Sequence, residues 1–426
     1  MGDTGKRRRP SSLFIAPIMP SDRGNGLAMR TGFFLDAYAQ RFAIDLAVVP
    51  VAGGETELTP FVARRVRTAI VLPVAAADTH FTLISAIADP KAQLTAFRQY
   101  ARPSITARLN AEIERALIGF AAGHYELVHV SRTYLAALAR AWIGVAKSGG
   151  PCLVLDCDED DTSAYRRLAR LYSNGGYGRR ADWAQAEAAA FKTLAAHWLP
   201  RFDLRLAASI GEARHLSGHA EGLKVAVVPN VAPLSAGRFA PRRPQGGCRD
   251  IVFVGSLGYL PNIDAARWFA KRIWPRLRAA VPFPVRFVIA GRGAPRAVMD
   301  LARQPGIVVV GGFDDAAPLY RRAALAVVPI RAGGGTRIKL LESAKYGVPV
   351  VATRFGAAGT GFRSGQELLL ADNERDFAAC CARLLTNGKL ASRLRAQALR
   401  RVRLDYEASS IALHLLGKID AIVTRE

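Results

Sequence analysis

A glycine-initiated segment, residues 333–342, carries the residues of this chain that are best suited to chemistry. It reads Gly-Gly-Gly-Thr-Arg-Ile-Lys-Leu-Leu-Glu from Gly333 to Glu342. The first N–H groups of a helix are unpaired and carry a partial positive charge, and glycine lets a bound group approach the backbone. Arg337 and Lys339 add formal charge, while Glu342 can accept hydrogen bonds from a sugar hydroxyl. The segment favours a site for a phosphorylated sugar compound, although an ordinary helix that begins and ends with glycine fits it equally well.

Such a helix start is positioned by the strands that precede and follow it. Apolar runs of strand length alternate with helical segments along the whole chain, which predicts parallel α/β sheets. Helices are predicted around 33–38, over 91–119, 135–145 and 182–199, and from 376 onward. Strands are predicted at 13–17, 44–51, 69–74, 125–130, 151–156, 204–209 and 223–228, and then at 251–255, 285–290, 306–310, 325–329 and 349–352.

The length and composition of the chain indicate two globular domains. Its 426 residues are too many for one ordinary core, and 50% of them are hydrophobic. A stretch rich in proline and glycine, 229–247, separates the two runs of alternation and is the predicted linker. No apolar run approaches the roughly 18 residues of a membrane-spanning helix. The beginning of the chain does not resemble a signal peptide, so we predict a cytoplasmic protein whose five cysteines are structural thiols.

The segment that begins at Gly333 resembles the donor-binding signature of retaining glycosyltransferases with the GT-B fold, the group 1 or family 4 type. Many members of this family carry two glutamates with seven residues between them. Glu342 matches the second glutamate, whereas Gly334 stands at the position of the first. The chain is similar to the variant branch that reads Gly-Gly-Thr-Arg-x-Lys-x-x-Glu. Because the first glutamate usually contacts sugar hydroxyls, its replacement changes the contacts that the resemblance implies for the donor sugar.

The resemblance implies an α/β protein with two Rossmann-like domains whose parallel sheets face a cleft. We predict an acceptor domain at 11–232 and a donor domain at 245–405. The last segment, 406–426, is expected to be a helix that returns to the acceptor domain. The donor is expected to be a UDP-, GDP- or ADP-sugar, bound without a protein-held cofactor or metal ion.

The family's basic pair, which often grips the donor diphosphate, aligns with two uncharged residues here. Aligned on Gly255, the pair falls on Ser256 and Asn262. Asn262 either contacts the donor or caps the helix that follows, with Asp264 adding charge to its first turn. The phosphate charge then has to be met by Arg337 and Lys339. Arg337 is the first candidate because its planar fork suits phosphate, and Lys339 is the second.

Further donor contacts follow from the resemblance alone. The turn at Gly255 and the backbone of Gly334, Gly335 and Thr336 are predicted to receive the donor. Gly291, in a Gly-x-Gly that is a weak match to a dinucleotide fingerprint, is predicted to lie beside the nucleobase. Phe313 is expected either to stack near the base or to pack in the core.

Candidate residues of the first half follow three of its predicted strands. Asn25 and Gly26 end the loop after the first strand, and they are predicted to contact the acceptor or line the cleft. Ser131 takes the ligand-facing position of the family's His-x-His pattern, and His129 is expected to be a hydrogen-bonded core residue. The acidic run 156–161 could hold a metal or contact the acceptor. We predict instead that it is exposed or paired with nearby arginines, namely Arg166, Arg167 and Arg170.

A net charge of +24 favours anionic partners, although the arginine usage of a GC-rich genome would produce the same excess. Residues 383–403 contain seven cations and no acid: Arg383, Lys389, Arg393, Arg395, Arg400, Arg401 and Arg403. This tail is either a solvated helix face or, together with Lys6 to Arg9, a surface for anionic lipid at the inner face of the membrane. The interleaved aromatic residues of a single-strand nucleic-acid platform are missing, which argues against that partner.

The resemblance to group 1 glycosyltransferases implies an enzyme of polysaccharide biosynthesis. It would move a sugar from a nucleotide-diphosphate sugar to a glycan, a lipid-linked glycan or a small-molecule acceptor, with retention of anomeric configuration. Two alternatives stay open. One is a GT-B epimerase that acts on a sugar nucleotide without transfer, and the other is a non-catalytic protein that binds acidic surfaces.

Overall fold

The computed structural model describes residues 9–74, 76–144, 150–232, 247–313, 315–334 and 338–423. The chain divides into two compact units. Unit 1 contains Leu27–Val228 with the beginning of the chain up to Ser21 and the end, Ser409–Glu426. Unit 2 contains Pro229–Ala408 and the short segment Asp22–Gly26. Most of the predicted linker lies outside the described residues.

Unit 1 is built on a seven-stranded parallel sheet with the order β3-β2-β1-β4-β5-β6-β7. Its central strands are continuous apolar runs, which is typical of parallel strands that helices cover on both faces. The strands are β1 (Ser11–Ala16), β2 (Ala43–Val48), β3 (Thr68–Val71), β4 (Leu127–Ser131), β5 (Cys152–Asp158), β6 (Leu204–Ala207) and β7 (Ala226–Val227).

Nine α-helices are described between these strands, together with 3-10 turns at Ser104–Arg108, Thr133–Ala139 and Leu199–Arg201. The helices are α1 (Gly26–Ala39), α2 (Pro60–Ala63), α3 (Thr79–Ala86), α4 (Pro90–Tyr100), α5 (Ala111–Phe120), α6 (Arg140–Ile143), α7 (Asp161–Asn174), α8 (Gly178–Trp198) and α9 (Ile210–Ser217).

Unit 2 is built on a six-stranded parallel sheet with the order β10-β9-β8-β11-β12-β13. The strands are β8 (Arg249–Val254), β9 (Val285–Ala290), β10 (Ile307–Val310), β11 (Ala323–Val328), β12 (Val350–Ala352) and β13 (Leu369–Leu370). The helices are α10 (Leu260–Trp268), α11 (Trp274–Ala280), α12 (Arg296–Met299), α13 (Ala317–Arg322), α14 (Ile338–Lys345), α15 (Arg354–Ala357), α16 (Glu374–Thr386) and α17 (Gly388–Asp405), and α18 (Ala408–Val423) follows.

The strand order of unit 2 determines where a ligand can bind. The chain moves outward from β8 to β9 and β10, and then returns to place β11 on the other side of β8. After β8 the chain continues to β9 and after β11 it continues to β12, in opposite directions along the sheet, so a crevice forms at the carboxyl ends of β8 and β11. Both segments that the sequence singled out, 255–262 and 333–342, follow these two strands.

The prediction of two parallel α/β sheets is confirmed, whereas several helix predictions are wrong. The predicted helix 91–119 is broken after Tyr100, where Ala101 has a left-handed φ of 52°. Pro103 follows, and a 3-10 turn leads to Asn110, whose side chain caps α5. The predicted helix 135–145 begins as a 3-10 turn, and α7 and β13 were not predicted. In the described part of the chain, no helix has both the length and the apolar character to span a bilayer.

Candidate functional site

Three residues from separate segments meet at the carboxyl edge of the unit 2 sheet. Gly255 follows β8, Asn262 lies in the first turn of α10, and Lys339 lies near the start of α14. Asn262 Nδ2 donates to the carbonyl of Ser256 at 2.8 Å, and Asn262 Oδ1 accepts from Lys339 Nζ at 2.7 Å. A Cβ on Gly255 would lie 3.0 Å from Asn262 Nδ2 and 3.1 Å from Lys339 Nζ. Glycine at this turn therefore leaves the space in which the amide and the ammonium meet.

The arrangement directs the positive charge of Lys339 to the end of β8. Its Nζ also lies 5.1 Å from the centre of the Phe253 ring, a distance typical of a cation–π contact. Asn262 is buried, and the residue that caps α10 is Tyr259, without a side-chain hydrogen bond. The interpretation of Asn262 as the helix cap is therefore wrong, because its amide orients Lys339 instead. The sequence also predicted that Asp264 adds charge to the first turn of this helix. In the structure, the Asp264 carboxylate forms an ion pair with Arg331.

Glu342 lies one turn further along α14 and is held by a tyrosine that sequence reasoning missed. The hydroxyl of Tyr320 donates to Glu342 Oε2 at 3.2 Å, and the Tyr320 ring stacks on Tyr346 with centroids 5.2 Å apart. Burial raises the pKa of Glu342 to about 7, against the opposing effects of the Tyr320 hydrogen bond and the Lys339 charge. Burial and the nearby Glu342 carboxylate raise the pKa of Tyr320 well above its ordinary value. Tyr320 thus remains a hydrogen-bond donor at any pH of interest.

The raised pKa of Glu342 predicts a pH-dependent stability that a Glu342→Gln variant removes. In the unfolded chain Glu342 ionises near its ordinary pKa of 4.5, whereas in the folded chain it ionises only at about 7. Between these values the unfolded state binds fewer protons, so the wild type loses stability as pH rises. We expect equal melting temperatures below this window and an advantage of a few degrees for Glu342→Gln above it. Thermal unfolding across pH measures this, and a pH-independent difference would contradict the shift.

Gly291 is required by a close approach of two backbones. A Cβ at this position would lie 1.8 Å from the carbonyl oxygen of Gly255, which no side chain can tolerate. The N–H of Gly291 donates to the carbonyl of Val310, and the N–H of Gly255 donates to that of Ala290. Gly291 therefore aligns the ends of β8, β9 and β10. Phe313 is partly buried against the core of unit 2, in agreement with the packing role that the sequence left open for it.

The glycine-rich loop before α14 is described only in part. Gly334 is half-buried, whereas Gly335, Thr336 and Arg337 lie outside the described residues. Gly333 has a φ of 103°, and a Cβ there would lie 2.8 Å from the hydroxyl of Tyr259. The loop after β11 thus passes close to the loop after β8, and only glycine fits at that point.

The structure also describes the residues that the sequence predicted in the first half of the chain. Asn25 is exposed and Gly26 begins α1, in the segment that is grouped with unit 2. Ser131 is fully buried, and its hydroxyl is 3.1 Å from His129 Nε2. His129 is also fully buried, with Nδ1 2.9 Å from the hydroxyl of Tyr38. Burial, reinforced by Arg30, lowers the pKa of His129 well below its ordinary value, so the ring is neutral. His129 is the hydrogen-bonded core residue that the sequence predicted.

The acidic run 156–161 is the region whose burial and ion-pair partners differ most from what the sequence predicted. Asp156 and Asp161 are buried, not exposed, and their ion-pair partners come from distant segments rather than from the neighbouring arginines of α7. Arg30 binds Asp156 through two nitrogens at 2.7 and 2.6 Å, and Arg132 contacts Asp161 at 2.6 Å. These partners lie close because β1, β4 and β5 are neighbours in the sheet. Within the described ranges, no group of three or more histidines, cysteines or carboxylates could hold a metal ion.

Part of the second half of the chain matches a known family. Residues 248–387, which contain Gly255, Asn262, Lys339 and Glu342, match the family described as "Glycosyl transferases group 1". Over 198 residues the chain is 28% identical to glycogen synthase of Mycobacterium tuberculosis, a match that covers 44% of this chain and 46% of that protein. The chain spans less than half the length of the curated relatives that it matches.

Solved structures extend the likeness of fold to the whole chain. Sucrose-phosphate synthase from Thermosynechococcus elongatus is similar with a TM-score of 0.68 at 14% identity, over 98% of this chain and 100% of that one. HepE of Anabaena, solved with UDP-glucose, is similar with a TM-score of 0.59 at 11% identity, over 97% of this chain and 100% of that one. The chain therefore has the GT-B fold.

Proposed function

We propose that this protein transfers a sugar from a nucleotide-diphosphate sugar to a sugar-containing acceptor. The observation that carries the proposal is the meeting of Gly255, Asn262 and Lys339 at the switch point of unit 2, with Glu342 one turn away on α14. This site lies inside the domain that matches group 1 glycosyltransferases. An ammonium beside a glycine turn suits a diphosphate, and a carboxylate suits the hydroxyls of a ribose.

Each residue of the site has a role in this reaction. As the bond between sugar and diphosphate breaks, negative charge grows on the leaving phosphate, and Lys339 stabilises it. Asn262 holds the ammonium in place, so little reorganisation is needed during the reaction. Glu342, oriented by Tyr320, binds the ribose of the donor. We further propose retention of anomeric configuration, with the acceptor attacking on the leaving-group face and the departing phosphate taking its proton.

We assign the acceptor to unit 1, whose sheet edge offers a suitable depression. It has a volume of about 600 Å³ and lies beyond the carboxyl ends of β2 and β3, lined by Pro50, Gly53, Gly54, Thr56, Val71, Pro73 and Val74. Loops at this edge of a parallel sheet are the usual place for a ligand. A glycan or a lipid-linked glycan is the acceptor class that we propose.

A donor panel tests the proposed reaction directly. UDP-, GDP- and ADP-sugars are supplied with glycan acceptors, and the products are followed by mass spectrometry and by NMR of the anomeric proton. UDP-glucose is the first donor to try, because HepE was solved with it. Transfer with a retained anomer supports the proposal. Conversion of the donor sugar without transfer would instead identify an epimerase, and the absence of donor binding in calorimetry would favour a non-catalytic protein.

Glu342→Ala is expected to weaken donor binding by more than tenfold. A hydrogen bond to a charged group contributes roughly 1.5–3 kcal/mol, and each 1.4 kcal/mol corresponds to a factor of ten. Calorimetry with the donor from the panel measures the loss, and Asp300→Ala, which removes an exposed carboxylate of the same unit, is the matched control. Tyr320→Phe should show a smaller loss, because Glu342 stays but loses its orienting hydrogen bond. Unchanged affinity in a folded Glu342→Ala variant would remove Glu342 from the site.

A further inference from the structure

The outer face of α17 carries a line of cations that the donor site does not use. Along the inner face, Leu390, Leu394, Ala398 and Val402 recur every four residues and are buried in the core of unit 2. Lys389, Arg393, Arg400 and Arg403 are exposed. Their spacings of four, seven and three residues place them on one side of a helix, opposite the buried row. We call these four residues the α17 stripe.

The structure separates the stripe from the other cations of the basic tail. Arg401 is bound by Glu367 and Asp405, each at 2.9 Å, and Arg395 is half-buried. Among the described residues, no carboxylate forms an ion pair with any member of the stripe. Leu404, which is 66% exposed, lies beside the last two stripe residues. The excess charge of the tail is therefore concentrated on one exposed face that ends in an exposed apolar side chain.

We propose that the α17 stripe binds the protein to an anionic lipid bilayer. The 18 residues of α17 form a straight rod about 27 Å long, and a flat layer of headgroups can meet all four cations of such a rod at once. Basic residues gain binding energy next to an anionic leaflet, and Leu404 can enter the boundary of the acyl chains. The sequence of α17 contains no aromatic residue on which a nucleobase could stack, which disfavours single-stranded nucleic acid.

Binding of the α17 stripe to a bilayer is compatible with an active donor site. The inner face of α17 packs against α14, the helix that carries Lys339 and Glu342. A membrane on the outer face would therefore lie on the side of α17 that faces away from α14. The inference concerns a different surface from that of the proposed reaction, so either can fail without the other.

Vesicle flotation with a matched pair of variants tests the inference. The full chain is mixed with phosphatidylcholine vesicles, with or without phosphatidylglycerol, at low and high salt. The stripe variant carries Lys389→Gln, Arg393→Gln, Arg400→Gln and Arg403→Gln. The control variant loses four exposed cations of unit 1 through Arg64→Gln, Arg98→Gln, Arg115→Gln and Lys192→Gln, so both variants have the same net charge.

We expect the wild type and the control to bind only the anionic vesicles, and binding to fade as salt screens the charges. The stripe variant should lose affinity for these vesicles by at least about tenfold. Its folding is checked by thermal unfolding. Two half-variants should each show an intermediate loss of affinity for the anionic vesicles: Lys389→Gln with Arg393→Gln, and Arg400→Gln with Arg403→Gln. They replace the full stripe variant in the test if that variant is unstable. Three outcomes would each overturn the proposal. The stripe and control variants could lose the same affinity for anionic vesicles, or the wild type could bind neutral vesicles. The third outcome is binding to RNA that depends on the stripe, without binding to vesicles.

Discussion

Replacing Lys339 with alanine is expected to lower turnover by about 100-fold or more, with a smaller effect on donor affinity. Removing one preorganised group that stabilises charge in a transition state typically costs about 10²–10³ in kcat. Lys339 Nζ is preorganised in this sense, because Asn262 Oδ1 holds it at 2.7 Å beside the Gly255 turn. The charge on the leaving diphosphate is largest as the sugar bond breaks, so the loss should fall mainly on kcat.

Steady-state kinetics of the folded variant separate the roles that Lys339 could have. Arg331→Ala is the matched control. It also removes one cation near the start of α10, but Arg331 belongs to an exposed ion pair with Asp264. A raised KM with an unchanged kcat would leave Lys339 as a simple binding residue, and near-normal values of both would exclude it. Arg337, the first candidate from the sequence, stays a prediction, and the same measurements on Arg337→Ala determine how the two cations share the phosphate charge.

Replacing Arg30 with alanine is expected to lower the free energy of unfolding by about 3–5 kcal/mol. Arg30 and Asp156 are both almost completely buried, and the loss of one partner leaves an uncompensated charge in the interior. Arg30 also donates to the carbonyl of Val228 at 3.0 Å, and this bond would be lost as well. Urea unfolding of the full chain, followed by circular dichroism, measures the change.

Two further variants show whether the buried charge is the cause of this loss. In the double variant Arg30→Met with Asp156→Leu, both charges are removed, and we expect most of the stability to return. Arg65→Ala breaks a partly exposed pair with Asp36 on the same helix as Arg30 and should cost no more than about 1 kcal/mol. A loss of that small size for Arg30→Ala would show that the buried pair is not essential to the stability of unit 1.

The class of the fold could be predicted from the sequence because parallel strands covered on both faces are continuous apolar runs. The run at 285–290 coincides with β9, and the run at 251–255 became β8 with shifts of two residues at its start and one at its end. Helix ends were predicted less well, because Ala101 and Pro103 interrupt a segment whose composition is helical throughout. The strand β13 has only two residues and is too short to show a periodic pattern.

The sequence selected four residues of the proposed donor site, Gly255, Asn262, Lys339 and Glu342, but it did not show which of them contact each other. Lys339 and Glu342 share one motif, and their resemblance to a family signature was enough to select them. The amide that orients Lys339 is 77 residues away, and the tyrosine that orients Glu342 lies 22 residues before it. Neither Asn262 nor Tyr320 shows this role in its local sequence, because the contact exists only after β8 and β11 become neighbours.

What the sequence determined by itself was therefore the alternation of strands and helices, the glycine-initiated segment and the excess of positive charge. The tertiary structure decided which charges meet. Asp156 pairs with Arg30, 126 positions away, because neighbouring strands bring the two segments together, whereas the sequence pointed to the adjacent arginines. The seven cations of the basic tail look alike in sequence. Burial of one helix face and the positions of Glu367 and Asp405 decide which of them remain on the surface, because an ion pair or an exposed charge depends on the surroundings of the folded side chain.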